Sequence, residues 1–182
     1  MIVRHPALAL LLCALICAPA APAVAQSFGA AFQGMRDTGE PVQIEADRLE
    51  VADQQGTAEF FGNVSILQGS TLMKTKHLKV YYTRAGGTAP GPGGNVRRIE
   101  ATGGVAVRSE DQKATADTAT VDMQAQTAVM SGNVIISQGE NVVSGCVLNV
   151  NLATNAAVLV PCRNVGTGRV KMRFTPKSGE GN

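Results

Sequence analysis

The sequence contains no tryptophan, and aromatic residues make up only 4% of its 182 residues. This scarcity argues against a carbohydrate-binding module, which uses exposed aromatic rings as stacking platforms. Histidine is equally scarce, with His5 and His77 as its two occurrences. If an N-terminal signal peptide removes His5, a Ser-His-Asp or Cys-His site has only His77 as a possible base, and no nucleophile lies beside it in sequence. We therefore predict that the protein is not an enzyme.

An excess of one charge and a long internal apolar run are also missing. Arg4, the apolar run 7–18 and the small-residue site 23–25 predict a signal peptide over residues 1–25. Its removal leaves 15 basic and 14 acidic residues, a balance that does not favour a nucleic-acid partner. No later stretch approaches the ~20 apolar residues of a membrane-spanning helix. The sequence thus predicts an exported protein whose mature chain begins near Gln26.

Cys13 and Cys17 lie within this leader and raise the alternative of lipid attachment. A lipidated cysteine follows a small residue, whereas Leu12 and Ile16 precede these two. Cleavage after about Ala25 is therefore preferred to lipidation.

Two cysteines remain in the mature chain, Cys146 and Cys162. An exported protein meets an oxidising compartment, and the two residues face each other across adjacent strands if the last hairpin turns near Thr154. A disulfide is the preferred interpretation, with two free thiols as the alternative. A metal site is less favoured, because it needs two further ligands and His77 is the one mature histidine.

An internal repeat dominates the mature sequence. The segment FGNVSILQG at 61–69 recurs as SGNVIISQG at 131–139, with a looser copy, TGGVAV, at 102–107. A second motif lies between the copies, at residues 47–51, 76–80, 117–121 and 146–150. The step from each motif glycine to the next second motif is 14 residues, and the return step is 15 except where a Gly/Pro-rich insertion at 84–95 lengthens it. This 29-residue unit predicts one strand out and one strand back.

Apolar and polar residues alternate within each unit, as they do in a strand with one buried face. The alternation slips by one residue between Ile44 and Leu49, which indicates a bulge or corner. We therefore predict an all-β fold of stacked, bent antiparallel strands that form an open β-jelly-roll, a folded-over sheet with an apolar trough. The domain is expected at 40–174, between a flexible leader at 26–39 and a disordered tail at 175–182.

Two further features bear on partners and cofactors. The first and last rungs of such a stack have unpaired backbone groups, which favours head-to-tail docking of identical units. The glycines at 86–87 and 91–94 lack the following Lys-Ser/Thr of a nucleotide-binding loop, so no cofactor is predicted.

Four segments resemble the OstA-like (LptA) family of periplasmic lipopolysaccharide transport proteins: PVQIEAD at 41–47, FGNV at 61–64, KVYYTR at 79–84 and SGNV at 131–134. The resemblance extends over about residues 40–174. It implies a bent β-jelly-roll in the periplasm that carries lipopolysaccharide with its acyl chains in the trough. It also implies partners, namely an inner-membrane anchored β-jelly-roll component, an outer-membrane barrel component and further copies of the chain joined head to tail.

The resemblance and the repeat together imply a lipid-facing role for a set of inward apolar residues. These are Val42, Ile44, Leu49, Phe60, Val64, Ile66, Leu78, Val107, Val121, Met123, Val134 and Ile136. The cysteine pair is not part of the family pattern. From the alternation alone, a structural periplasmic β-repeat with a closed core and no lipid ligand is an open alternative.

Overall fold

The computed structural model describes residues 40–83, 95–162 and 168–175. The predicted signal peptide, the leader, residues 84–94 of the insertion and residues 176–182 of the tail lie outside these ranges. Within them are ten strands: β1 Val42–Glu45, β2 Arg48–Ala52, β3 Thr57–Gln68, β4 Thr71–Tyr82, β5 Val96–Ser109, β6 Gln112–Asp122, β7 Thr127–Gln138, β8 Asn141–Asn151, β9 Ala157–Val160 and β10 Lys171–Arg173. A 3-10 turn, Asp53–Gln55, joins β2 to β3. In the described part of the chain, no helix has the length and hydrophobicity to cross a bilayer.

All ten strands belong to one antiparallel sheet. Strands β3 to β8 follow one another in chain order, each hydrogen-bonded to the next. Both β1 and β2 pair with β3, and both β9 and β10 pair with β8. The pairs β1/β2 and β9/β10 therefore form the first and last rungs, and the predicted all-β stack of antiparallel strands is confirmed.

The long strands bend near their middles. The pairing of β3 with β4 shifts register between Phe61 and Val64, and Gly62 and Asn63 in that gap have φ of 75° and 44°. This left-handed conformation suits glycine and is tolerated by asparagine. Equivalent glycines at 103, 104 and 132, and the asparagine at 133, have the same sign of φ. The G-N motif of the sequence is thus the corner of β3 and β7, and Gly103–Gly104 is the corner of β5.

Strands β4, β6 and β8 turn the same corner by a slip of phase. In β4 the buried positions run through Met73 and Thr75 and then resume at Leu78 and Val80. A strand that turns inserts one residue there so that both halves face inward. The slip that the sequence pattern indicates between Ile44 and Leu49 is of the same kind and lies between β1 and β2.

Outward side chains link successive strands at these corners. The Asn63 amide Nδ2 donates to Asp47 Oδ2 at 2.9 Å, and the Asp47 backbone N–H donates to the Gly62 carbonyl at 3.0 Å. Asn133 Nδ2 donates to Asp117 Oδ2 at 3.0 Å in the later copy. Each Asp–Asn pair spans 16 residues. A side chain thus stabilises the corner that the glycine permits.

Candidate functional site

The interior of the bent sheet is one continuous apolar cluster. It includes eight of the twelve residues predicted to face lipid: Phe60, Val64, Ile66, Leu78, Val107, Val121, Val134 and Ile136. Ile44 and Met123 are half-buried and pack against the cluster. The repeat therefore brings ten of these side chains to one face of the sheet.

Val42 and Leu49 also belong to the predicted set, but they are 53% and 51% exposed. Leu49 pairs with the buried Phe60, so both occupy the inward face. Leu49 is uncovered because β1 and β2 form the first rung and no described strand packs beyond them. The apolar interior is consequently open at this end of the stack.

The last rung, at the opposite end of the stack, also has exposed apolar side chains. Met172 in β10 pairs with the buried Val143 yet is 56% exposed, and the nearby Val170 and Phe174 are 39% and 62% exposed. Three cations, Arg169, Lys171 and Arg173, alternate with these apolar residues along the chain. The last rung therefore has exposed apolar side chains next to positive charges, and the apolar interior is open at this end as well.

The interior also contains buried alanines that the predicted lipid-facing set does not include. Ala114, Ala116 and Ala119 of β6 are all buried, and Ala119 pairs with the buried Ala101 of β5. Their spacing contains the same phase slip as β4, and this slip is the signal that identifies them. The central strands thus contribute little side-chain volume to the interior.

A row of uncharged polar residues along one end of the long strands was also missed. We call it the polar rim; its members are Gln68, Thr71, Ser109, Gln112, Gln138 and Asn141. Thr71, Ser109 and Gln112 are 2%, 9% and 9% exposed, and Thr71 Oγ1 donates to Ser109 Oγ at 3.1 Å. The rim lies on the inward face, beside the apolar cluster.

His77 lies on the outer face, in a cluster with Glu59, Phe61 and Lys79. Its ring stacks on Phe61 with centroids 4.6 Å apart, and its Nε2 is 3.0 Å from Glu59 Oε2. Lys79 Nζ donates to Glu59 Oε1 at 2.9 Å, a bond that holds the pKa of Glu59 below its usual value and raises the pKa of Lys79. Across the described ranges, no three His, Cys, Asp or Glu side chains are grouped to hold a metal ion. The contacts of His77 are those of a surface side-chain cluster.

Cys146 of β8 and Cys162, two residues after β9, are joined by a disulfide with a Cα–Cα distance of 4.9 Å. The bond ties the last rung to its neighbour. Both residues are half-buried.

Comparison with known proteins agrees with this architecture. The family model described as LptA/(LptD N-terminal domain) LPS transport protein matches residues 43–156. An uncharacterized protein of Rhizobium meliloti is 36% identical over 165 residues, which cover 90% of this chain and 87% of that protein. The crystal structure of LptH, described as the LptA homologous periplasmic component of the lipopolysaccharide transport device of Pseudomonas aeruginosa, superposes with a TM-score of 0.63. LptH shares 18% identity, and the match covers 77% of this chain and 99% of that one, so the likeness concerns the fold.

Proposed function

Because the chain belongs to the LptA/LptD N-terminal domain family of lipopolysaccharide transport proteins, we propose that it is a non-enzymatic carrier of lipopolysaccharide in the periplasm. The continuous apolar interior, open at the first and last rungs, carries this proposal. Each CH₂ group removed from water contributes about 0.8 kcal/mol, so a lipid with several acyl chains needs a shielded path across an aqueous gap. An apolar path through stacked units supplies that shield without a tight binding site.

Entry of an acyl chain requires interior side chains to part. Val64, Val107 and Val134 are 1%, 0% and 0% exposed because other side chains of the apolar cluster cover them. The acyl chain enters either at an open end of the stack or by separation of the two halves of the bent sheet. Alanines on β5 and β6 favour this entry, since they leave fewer side-chain contacts to break.

The carrier also acts as a bridge that assembles end to end. Its partners are further copies of the chain, an inner-membrane anchored β-jelly-roll component and an outer-membrane barrel component. Both end rungs leave strand edges unpaired within the described residues, and such edges accept another strand. The first rung is acidic, with five acidic residues and one basic residue over 40–56, whereas Arg169, Lys171 and Arg173 make the last described segment basic. Opposite charges at the two ends support head-to-tail polarity.

A photo-crosslinking amino acid at Ile44 tests the carrier function in cells. Ile44 is half-buried beside the apolar cluster, whereas its neighbour Glu45 is exposed on the opposite face and serves as the matched control. A lipopolysaccharide adduct at 44 but not at 45 is expected. The absence of an adduct at 44 in a folded protein would reject the lipid path.

A structural β-repeat with a closed core is the alternative, and the near-complete burial of Val107 and Val134 favours it. The carrier and the structural repeat differ in whether the apolar interior can bind a hydrophobic ligand. Uptake of a hydrophobic fluorescent dye, displaced by purified lipopolysaccharide, is expected of the carrier. A closed core excludes both.

A further inference from the structure

The polar rim is continuous across six strands. In register, Gln68 pairs with Thr71, Ser109 with Gln112, and Gln138 with Asn141. The pairs Thr71–Ser109 and Gln112–Gln138 join these into one row. Uncharged hydrogen-bonding side chains therefore line one whole end of the strands, with no charged residue among them.

The residues of this row occupy the same two positions in each repeat unit. Gln68, Ser109 and Gln138 all stand six residues after a corner glycine, and their partners stand nine residues after it. Ordinary turn residues face solvent, but half of this row is nine-tenths or more buried. The recurrence of uncharged polar groups at inward positions indicates a common role beyond turn formation.

One rim group has a hydrogen-bonding capacity that the described residues do not satisfy. Gln112 is 9% exposed, and its carbonyl oxygen Oε1 is buried without a hydrogen-bond partner in the described ranges. Native proteins pair nearly all such acceptors, because an unpaired one loses its bonds to water without replacement. A ligand that brings an N–H or O–H group to this oxygen would satisfy it.

The rim also marks a boundary between polar and apolar surface. On each strand, the inward side chain two residues from the rim, towards the middle of the strand, is apolar and buried. These six residues are Ile66, Met73, Val107, Ala114, Ile136 and Val143. A ligand that spans this boundary has a hydrocarbon chain on one side and an uncharged polar group on the other. The absence of cations in the rim disfavours a phosphate or carboxylate at this place.

We propose that the polar rim binds the uncharged polar linkage at the head of an acyl chain, an amide N–H or a hydroxyl, and that Gln112 Oε1 accepts its hydrogen bond. The inference rests on the proposed carrier function and adds the chemical group that the carrier recognises. The acyl chain then extends from the rim along the apolar cluster, which fixes the depth at which each chain lies.

Two probes of equal chain length test this assignment with the purified full chain. N-myristoylethanolamine has an amide N–H and a hydroxyl, whereas methyl myristate has no donor. In displacement of a hydrophobic dye, we expect the wild type to bind the amide about tenfold more tightly, equivalent to about 1.4 kcal/mol. Gln112→Met, which keeps the length but removes the acceptor, should abolish the preference. Lys113→Met, at the exposed neighbouring residue, is the matched control and should keep the preference.

The outcomes separate this inference from the carrier function. Equal binding of the two probes by the wild type, or a preference that survives Gln112→Met, overturns the rim assignment while the carrier function stands. Failure of the wild type to take up dye or either probe overturns the carrier function and the rim assignment together. Circular dichroism checks the fold of each variant. If Gln112→Met does not fold, Gln112→Leu, which removes the same acceptor, provides the second test, and an unchanged preference in that variant overturns the assignment.

Discussion

Cys146 and Cys162 are joined at the repeat position where Asp47 and Asn63 are hydrogen-bonded in the first unit. The disulfide spans 16 residues, the same separation as the Asp–Asn pair. The last rung consists of two short strands, β9 with four residues and β10 with three. A covalent link thus replaces a hydrogen bond at the corner whose strands have the least pairing.

Removal of this link is expected to destabilise the protein. Cys146→Ser with Cys162→Ser should lower the free energy of unfolding by about 2–4 kcal/mol, because the unfolded chain regains the freedom of the closed loop. The repeat supplies a matched rescue: Cys146→Asp with Cys162→Asn recreates the corner pair of the other units and should recover about 1 kcal/mol.

Urea unfolding with and without a thiol reductant measures both effects. The wild type should lose stability in reductant, whereas the Asp–Asn variant should be indifferent to it. A wild-type midpoint that reductant does not move would contradict the stabilising role of the disulfide.

The corner glycines should differ in their tolerance of a side chain. Gly132 has φ of 79°, and a Cβ there would collide with the Asp117 carboxylate, which also accepts from Asn133. Gly104 has φ of 92° but open space around its Cβ position. Both alanine variants suffer backbone strain, and Gly132→Ala should cost about 1 kcal/mol more because the Asp–Asn hydrogen bond is also lost.

Thermal unfolding of the two variants provides the comparison. Addition of Asp117→Gly, which removes the Asp117 Cβ as well as its carboxylate, should relieve the collision and narrow the gap between Gly132→Ala and Gly104→Ala. Equal costs of the two single variants would show that only backbone strain matters at these corners.

The repeat made the fold predictable, because the period-2 alternation, the G-N corner and the phase slip each have a direct structural counterpart. Exposure was not predictable from the same pattern. Alternation tells which way Val42 and Leu49 point, but whether another rung covers them depends on the position of each strand in the stack. Gln68 and Gln138 precede glycines and have the composition of turn residues. They stand two residues after the inward Ile66 and Ile136, but their place in one row across six strands follows only from the strand register.

Acid should weaken one ion pair on the outer face. The Lys79 ammonium holds the pKa of Glu59 below its ordinary value of 4.5. Since the folded-state pKa is the lower one, the pair stabilises the fold above about pH 4.5, and this contribution is lost as the pH falls through the folded-state value. Glu59→Gln should be slightly less stable than the wild type near neutral pH, because the pair is partly exposed. The difference should vanish in acid.

Urea midpoints over a pH series check this prediction. Glu110→Gln, at an exposed turn residue without an ion pair among the described residues, is the control and should track the wild type throughout. A gap for Glu59→Gln that stays constant into acid would assign the loss to packing of the side chain and not to its charge.

Ile44→Asp should impair lipid binding more than folding. Ile44 is only half-buried, at the open first rung, so a carboxylate there keeps access to water and the sheet remains paired. The same charge lies on the entrance to the apolar interior and disfavours a passing acyl chain. We expect at least about a tenfold loss of lipopolysaccharide binding, with a small change in melting temperature. Gln43→Asp, on the opposite face of the same strand, is the control, and equal effects of the two changes would count against an entrance at Ile44.

End-to-end assembly should depend on opposite charges at the two end rungs. Lys171 and Arg173 of β10 are exposed, as are Glu45 of β1 and Glu50 of β2, although Glu50 also pairs with Arg48 of its own strand. Lys171→Glu with Arg173→Glu brings like charges together at each junction and should reduce oligomers detected by light scattering, most strongly at low salt. Glu45→Lys with Glu50→Lys should do the same alone. Mixing the two charge-reversed proteins should make both kinds of junction complementary again, one with the native charges and one with the charges exchanged, and should yield mixed oligomers that neither protein forms by itself. Oligomers that are insensitive to salt and to both reversals would place the contact elsewhere on the surface.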